Sequence, residues 1–153
     1  MKNVGNYEIN LGTLLIEPVT DKISHVVEIN NDYMVNKRTL DLIDDSCKFF
    51  GSSYIGRVEG TKNLVKLNYK APIIIEESKN IIFFPISSAR YNNTTWVSLN
   101  NIEDYYEEDN LTTIVFKGGE HVKLDISYRS LENQILRSTM LLSTFQKRKM
   151  KIS

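Results

Sequence analysis

Two short apolar runs constrain this chain most. Pro72 precedes Ile73-Ile74-Ile75, and Ile81-Ile82-Phe83-Phe84 ends at Pro85. Both runs are too short for ordinary helices, their residues are β-branched or aromatic, and proline bounds them where a helix would have to continue. They predict buried strands, so any fold must supply a sheet with its core built around residues 73–84. With 153 residues, 41% hydrophobic and 25% charged, the chain is long enough for one domain with a substantial core.

Other segments extend the pattern. Tyr7-Glu8-Ile9, Leu14-Leu15-Ile16 and Val26-Val27-Glu28-Ile29 read as three short strands separated by Gly, Pro or Asn. From Thr39, Leu40, Ile43 and Cys47 recur at helical spacing, with acids early and Gly51 just past the end, which predicts an internal helix. Val65, Leu67 and Tyr69 alternate with Lys66, Asn68 and Lys70, the period of a strand with a basic wet face. Trp96 to Leu99 reads as another strand. Leu111–Phe116 and His121–Ile126 flank Gly118-Gly119 and predict a hairpin. Near the C-terminus Ser130 is placed to cap a helix carrying Leu131, Ile135, Leu142 and Phe145 on one stripe, with Leu136 and Met140 on the far side. That second apolar side suits a position between layers or contact with another subunit. The expected class is α+β, mainly antiparallel sheet with an internal and a C-terminal helix. Residues 1–146 form the expected domain, followed by a basic tail over 147–153 that like-charge repulsion should leave flexible.

Several chemistries find no support. The lone Cys47 cannot form an internal disulfide, and with His25 and His121 it makes no zinc-type ligand pair. Cys47 falls on an apolar stripe, which predicts an inert thiol, and no serine has a recognisable base. Gly51 to Arg57 superficially has the glycines of a phosphate loop, but lacks its Lys and its magnesium-binding hydroxyl. Gly51, Gly56 and Gly60 fit a helix stop followed by turns, and equally a close approach to a nucleic-acid backbone. No enzyme, metal or cofactor is expected. No apolar run approaches the ~20 residues of a membrane span, and the N-terminus lacks a signal-peptide core, so the expected location is the cytoplasm.

Formal net charge is zero, with 19 basic residues against 19 acidic, yet the charge is segregated. Arg57, Lys62, Lys66 and Lys70 oppose only Glu59, while Glu103, Asp104, Glu107, Glu108 and Asp109 concentrate acids in what reads as a soluble helix or loop. Arg137 and Lys147 to Lys151 form a second basic group, for which a membrane anchor is the weaker reading. Ser52, Ser53, Tyr54, Arg57, Thr61 and Lys62 supply donors suited to phosphate. The polar segment Ser87 to Thr95 adds Arg90, suited to a narrow groove or to decorating a turn.

The run Asp45 to Arg57, with Gly60-Thr61, closely resembles the ComK family of bacterial competence transcription factors. Lys70-Ala71-Pro72-Ile73, Ile82-Phe83-Phe84-Pro85, Ser87-Ser88-Ala89-Arg90, Trp96-Val97-Ser98, Ile126-Ser127-Tyr128 and Glu132-Asn133-Gln134 extend the resemblance in order along the chain. It implies a transcriptional activator that binds AT-rich boxes in double-stranded DNA through the minor groove, assembles as a homo-oligomer and meets the transcription machinery. Within that frame Ser52, Ser53, Arg57, Lys62, Lys66, Lys70 and Arg90 are the candidate DNA contacts, and Leu136 and Met140 the candidate oligomer contacts. Longer family members carry a tail that docks an adaptor for regulated proteolysis; the sequence here ends in a basic run without a comparable aromatic tail, so that partner is not expected. The rival reading is a ComK-like interaction module that acts through mixed oligomers without productive DNA binding.

Overall fold

The computed structural model describes residues 2–89 and 93–152, with the side chain of residue 152 outside the description. Seven strands form one sheet in the order β1-β4-β3-β2-β7-β6-β5. They are β1 (Lys2–Val4), β2 (Thr13–Pro18), β3 (Ser24–Glu28), β4 (Asp32–Val35), β5 (Ile73–Glu76), β6 (Ile81–Pro85) and β7 (Trp96–Ser98). A second sheet, β10-β9-β8, contains β8 (Ile102–Glu108), β9 (Leu111–Phe116) and β10 (His121–Leu124). Pairing is antiparallel except between β1 and β4. Helices α1 (Thr39–Phe49), α2 (Tyr54–Val65) and α3 (Tyr128–Ile152) complete the α+β fold.

Strand alternation divides the large sheet's side chains between two faces. Ile16, Val26, Phe83 and Trp96 point to the face covered by α1 through Leu42, Ile43 and Cys47. Their neighbours Leu15, Val27, Phe84 and Val97 meet Ile114 and Phe116 of β9, Leu124 of β10 and Leu131 of α3. A third cluster joins Ile74 and Ile82 to Leu141, with Leu64, Val65, Leu142 and Phe145 packed against it. Tyr54 and Val58 at the start of α2 belong to the α1 side, whereas Leu64 and Val65 at its end join this third cluster. Helix α2 therefore wraps around the edge strand β5 and ends beside α3.

Four local expectations need correction. Tyr7 and Ile9 are buried but form no ladder: Ile9 N–H donates to Ser46 Oγ at 3.1 Å, and the Tyr7 hydroxyl bonds Thr13 and Glu28. The edge beyond β3 is built instead by β4, which pairs with β3, and by β1, which pairs in parallel with β4 and is the outermost strand on that side. Residues 65–70 are not a strand, because Tyr54, Val58, Thr61 and Val65 already define a helical face that tertiary packing selects. The acidic segment is strand β8, turned back into β9 by Asp109 and Asn110, both in the left-handed region at φ 54° and 64°. Finally, α3 starts at Tyr128 with Ser127 Oγ accepting from Ser130 N–H at 3.1 Å, and it continues through Lys147–Lys151. The hairpin prediction at Gly118-Gly119 is met, with both residues near φ 90°.

One polar clamp ties β2, β3 and β4 together. His25 Nδ1 lies 2.9 Å from Glu17 Oε1 and Nε2 lies 3.0 Å from Asp32 Oδ2. A neutral imidazole has one N–H, so both contacts are hydrogen bonds only in the imidazolium form. Burial pulls the His25 pKa down, but Glu17 and Asp32 outweigh it and hold the ring above its usual 6.5. The stabilisation is therefore complete below the unfolded value and is lost as pH rises through the higher folded value. Thermal denaturation should show wild type losing more stability between about pH 6 and about pH 8.5 than His25→Gln does; equal losses would contradict the clamp.

Candidate nucleic-acid interface

The candidate residues start where α1 ends. Gly51 takes φ 90° and the chain re-enters helix at Ser53, whose Oγ accepts from Gly56 N–H at 3.0 Å. Ser53 is thus an N-cap. The Ser52 hydroxyl lies 3.0 Å and the Ser53 hydroxyl 3.2 Å from where a Cβ on Gly56 would stand, so glycine there lets both serines fold over the first turn. The anion position at this helix end is already taken. Asp44 Oδ1 accepts from Tyr54 N–H at 2.8 Å and Asp44 Oδ2 pairs with Lys48 at 3.0 Å; these contacts overcome partial burial and lower the Asp44 pKa. A helix begins here, correcting the expectation of turns and a strand after Gly51, yet the phosphate-loop reading still fails because a protein carboxylate fills the site.

Arg57 is only 15% exposed. Its Nη1 pairs with Glu77 Oε1 at 2.7 Å, and its Nε is buried without a hydrogen-bond partner among the described residues. The guanidinium pins α2 to the β5–β6 turn. Thr61 is also structural, donating to the carbonyls of Pro72 at 2.7 Å and Arg57 at 3.1 Å. Cys47 is buried, and burial pushes its thiol pKa up to about 12.

The picture changes in the second half of α2. Lys62 and Lys66 are exposed, Lys70 is half-buried, and none of the three forms an ion pair among the described residues. Lys66 ends the helix in the left-handed conformation, with its N–H on Lys62 carbonyl. Across from them runs the last part of α3. Arg148 Nη1 donates to Asn63 Oδ1 at 2.7 Å, and Lys149 Nζ sits 5.0 Å from the Phe145 ring centre. Two basic groups far apart in sequence thereby meet on one end of the molecule. Exposed Lys147 and Lys151 continue the same helix.

The acids occupy the other end of α3. Tyr105 of β8 packs on Tyr128 with ring centres 5.2 Å apart and planes tilted by 36°, and its hydroxyl donates to Glu132 Oε2 at 3.3 Å. Glu132 and Arg148 are separated by ~24 Å of helix at 1.5 Å per residue. Within β8, Glu103, Asp104 and Glu107 are exposed, while Lys123 partly offsets Glu108 and Asp109 at 2.8 and 3.8 Å. Arg90 lies outside the described residues. Among those described, no group of three or more His, Cys, Asp or Glu is placed to hold a metal, and no helix is long and apolar enough to cross a membrane.

The family model described as ComK protein matches residues 4–150. The chain belongs to the ComK family. It is similar to the "Competence transcription factor" of Bacillus subtilis (strain 168), with 36% identity over 147 residues that cover 94% of this chain and 77% of the relative. No solved structure matches. In ComK-family terms, the block Asp45–Arg57 is the α1–α2 corner, and Lys70–Ile73 is the entry to β5. The first block supplies capping and an ion pair, while the exposed cations follow it.

The sequence groups Lys62, Lys66 and Lys70 but carries no local sign that pairs them with Arg148. The signal for that pairing, an i, i+4, i+7 face of Tyr54, Val58 and Thr61 on α2 opposite a long α3, is obscured by Gly56 and Gly60. Gly60 has ordinary helical backbone and open space where a Cβ would go. Gly60→Ala should therefore raise stability by about 0.5–1 kcal/mol in denaturant titrations; a loss would contradict the helical assignment.

Proposed function

We propose that this chain is a transcriptional regulator that binds double-stranded DNA along the ridge formed by the second half of α2 and the end of α3. The observation that carries this reading is the convergence of Lys62, Lys66 and Arg148, tied through the Arg148–Asn63 hydrogen bond, with the acidic strand β8 held at the opposite end of α3. A duplex approaching the ridge meets cations whose released counterions favour binding, and one approaching β8 is repelled. The relative named competence transcription factor supports the same class.

The finer reading takes AT-rich boxes as the target. A-tract minor grooves are narrow and strongly negative, which favours a Lys or Arg inserted there. Arg90 remains the candidate for that insertion, and Lys62, Lys66 and Lys70 the candidates for flanking phosphates. Arg57 acts as framework, since its contact with Glu77 anchors the helix that carries the lysines. Ser52 and Ser53 stand at the start of that helix, where Ser53 serves as its cap. Assembly as a homo-oligomer uses the outer face of α3, where Leu136 is 60% and Met140 45% exposed one helical turn apart. Transcription machinery is a partner of the assembled complex.

Gel mobility shifts with AT-rich and GC-rich duplexes over a salt series test the reading. Wild type should prefer the AT-rich duplex, and Lys62→Gln with Lys66→Gln together should flatten the log K against log[salt] slope by about 2 while weakening both duplexes similarly. Absence of salt-sensitive binding would favour the interaction-module reading instead.

A further inference from the structure

The connection from α2 to β5 passes through two non-glycine residues in the left-handed region, Lys66 at φ 61° and Lys70 at φ 49°. Side-chain-bearing residues occupy that region when their surroundings impose it. At Lys70 the imposing groups come from α3. Gln134, only 2% exposed, donates Nε2 to the Lys70 carbonyl at 2.9 Å and to the Pro85 carbonyl at 2.7 Å. Arg137 donates Nη1 to the Lys70 carbonyl at 3.5 Å and Nη2 to the Tyr69 carbonyl, and it also bonds Gln134 Oε1. Two α3 side chains therefore grip consecutive carbonyls of one loop.

What the grip presents is an aromatic ring. Tyr69 is 60% exposed, and Lys70 Nζ lies 5.5 Å from its ring centre. A cleft of ≈ 290 Å³ separates the loop from α3, lined among others by Tyr69, Lys70, Ser130, Asn133 and Arg137. The guanidinium of Arg137 faces inward onto carbonyls, so it does not supply the cleft with a free cation. The loop's cations are Lys66 and Lys70.

We propose that Tyr69 is a further DNA-binding residue and that Arg137 is a positioning residue, holding Tyr69 against the duplex through its carbonyl without itself meeting a phosphate, while Gln134 keeps its own hold on the Lys70 carbonyl. This inference rests on the preceding reading of the ridge as the duplex-binding surface. In it the Tyr69 hydroxyl donates to a phosphate oxygen, the ring lies against the adjoining deoxyribose, and Lys70 neutralises a neighbouring phosphate. Arg137 acts by bidentate geometry, which a single ammonium cannot reproduce.

Fluorescence anisotropy titrations of a labelled AT-rich duplex over a salt series test this with the full chain. Tyr69→Ala should weaken binding about tenfold with the salt slope unchanged, because a non-ionic contact is lost. Arg137→Lys, which keeps the charge, should weaken it by a similar factor, also without a change of slope. In the Tyr69→Ala background Arg137→Lys should add little, since both changes remove the same contact. Wild-type affinity in Tyr69→Ala, rescue of an Arg137→Gln defect by Arg137→Lys, or full additivity of the pair would overturn the proposal. Lys62→Gln with Lys66→Gln separates the two levels: if this control also leaves binding unchanged, the ridge itself is wrong, whereas a weakened control beside silent Tyr69 and Arg137 variants rejects only the loop.

Discussion

Burial of Ile74 and Ile82 beneath Leu141, Leu64 and Phe145 decides where the charge of this molecule goes. Those contacts dock the end of α2 and the second half of α3 on the same margin of the large sheet, at edge strand β5. Once they are made, residues near 62–70 and near 148 become neighbours although more than half the chain separates them. The hydrophobic term sets the arrangement and the Arg148–Asn63 bond refines it, as expected when apolar burial is compared with one exposed hydrogen bond. Opening this cluster would separate the two basic groups, and with them the surface suited to a polyanion.

The same helix also separates opposite charges. Glu132 and Tyr128 tie its first turns to acidic β8, and Arg148 ties its last turns to α2. A formal net charge of zero thus conceals a molecule with a cationic end and an anionic end. Such a distribution gives a polyanion one favourable direction of approach, and screening by salt weakens attraction and repulsion together.

Much of the sheet was legible because β5 and β6 are nearly pure β-branched and aromatic runs, buried although β5 lies at the sheet's edge. Ile73–Ile75, Ile81–Phe84 and the Gly118-Gly119 hairpin each carry local signals that agree with their tertiary role. Helix α2 was not legible. Gly56 and Gly60 weaken its propensity, and the alternation of Val65, Leu67 and Tyr69 mimics a strand. The decisive contacts, from Val58 to the α1 side and from Leu64 to α3, are non-local. Strand β8 was missed for a related reason: acids lower β propensity, but an exposed edge tolerates them and resists edge-to-edge pairing. For the candidate site, the type of each cation was readable while its availability was not. Arg57 and Lys62 look equivalent in sequence; Glu77 separates them in space.

The central claim is that cations from α2, the following loop and α3 form one duplex-binding ridge. Backbone amide NMR of the ¹⁵N-labelled protein, titrated with an AT-rich duplex, tests it most directly. The account predicts shift perturbations concentrated in residues 62–70 and in the last turns of α3, with Glu103 to Asp109 undisturbed. Perturbations centred on β8, or scattered evenly over both ends of the molecule, would contradict it.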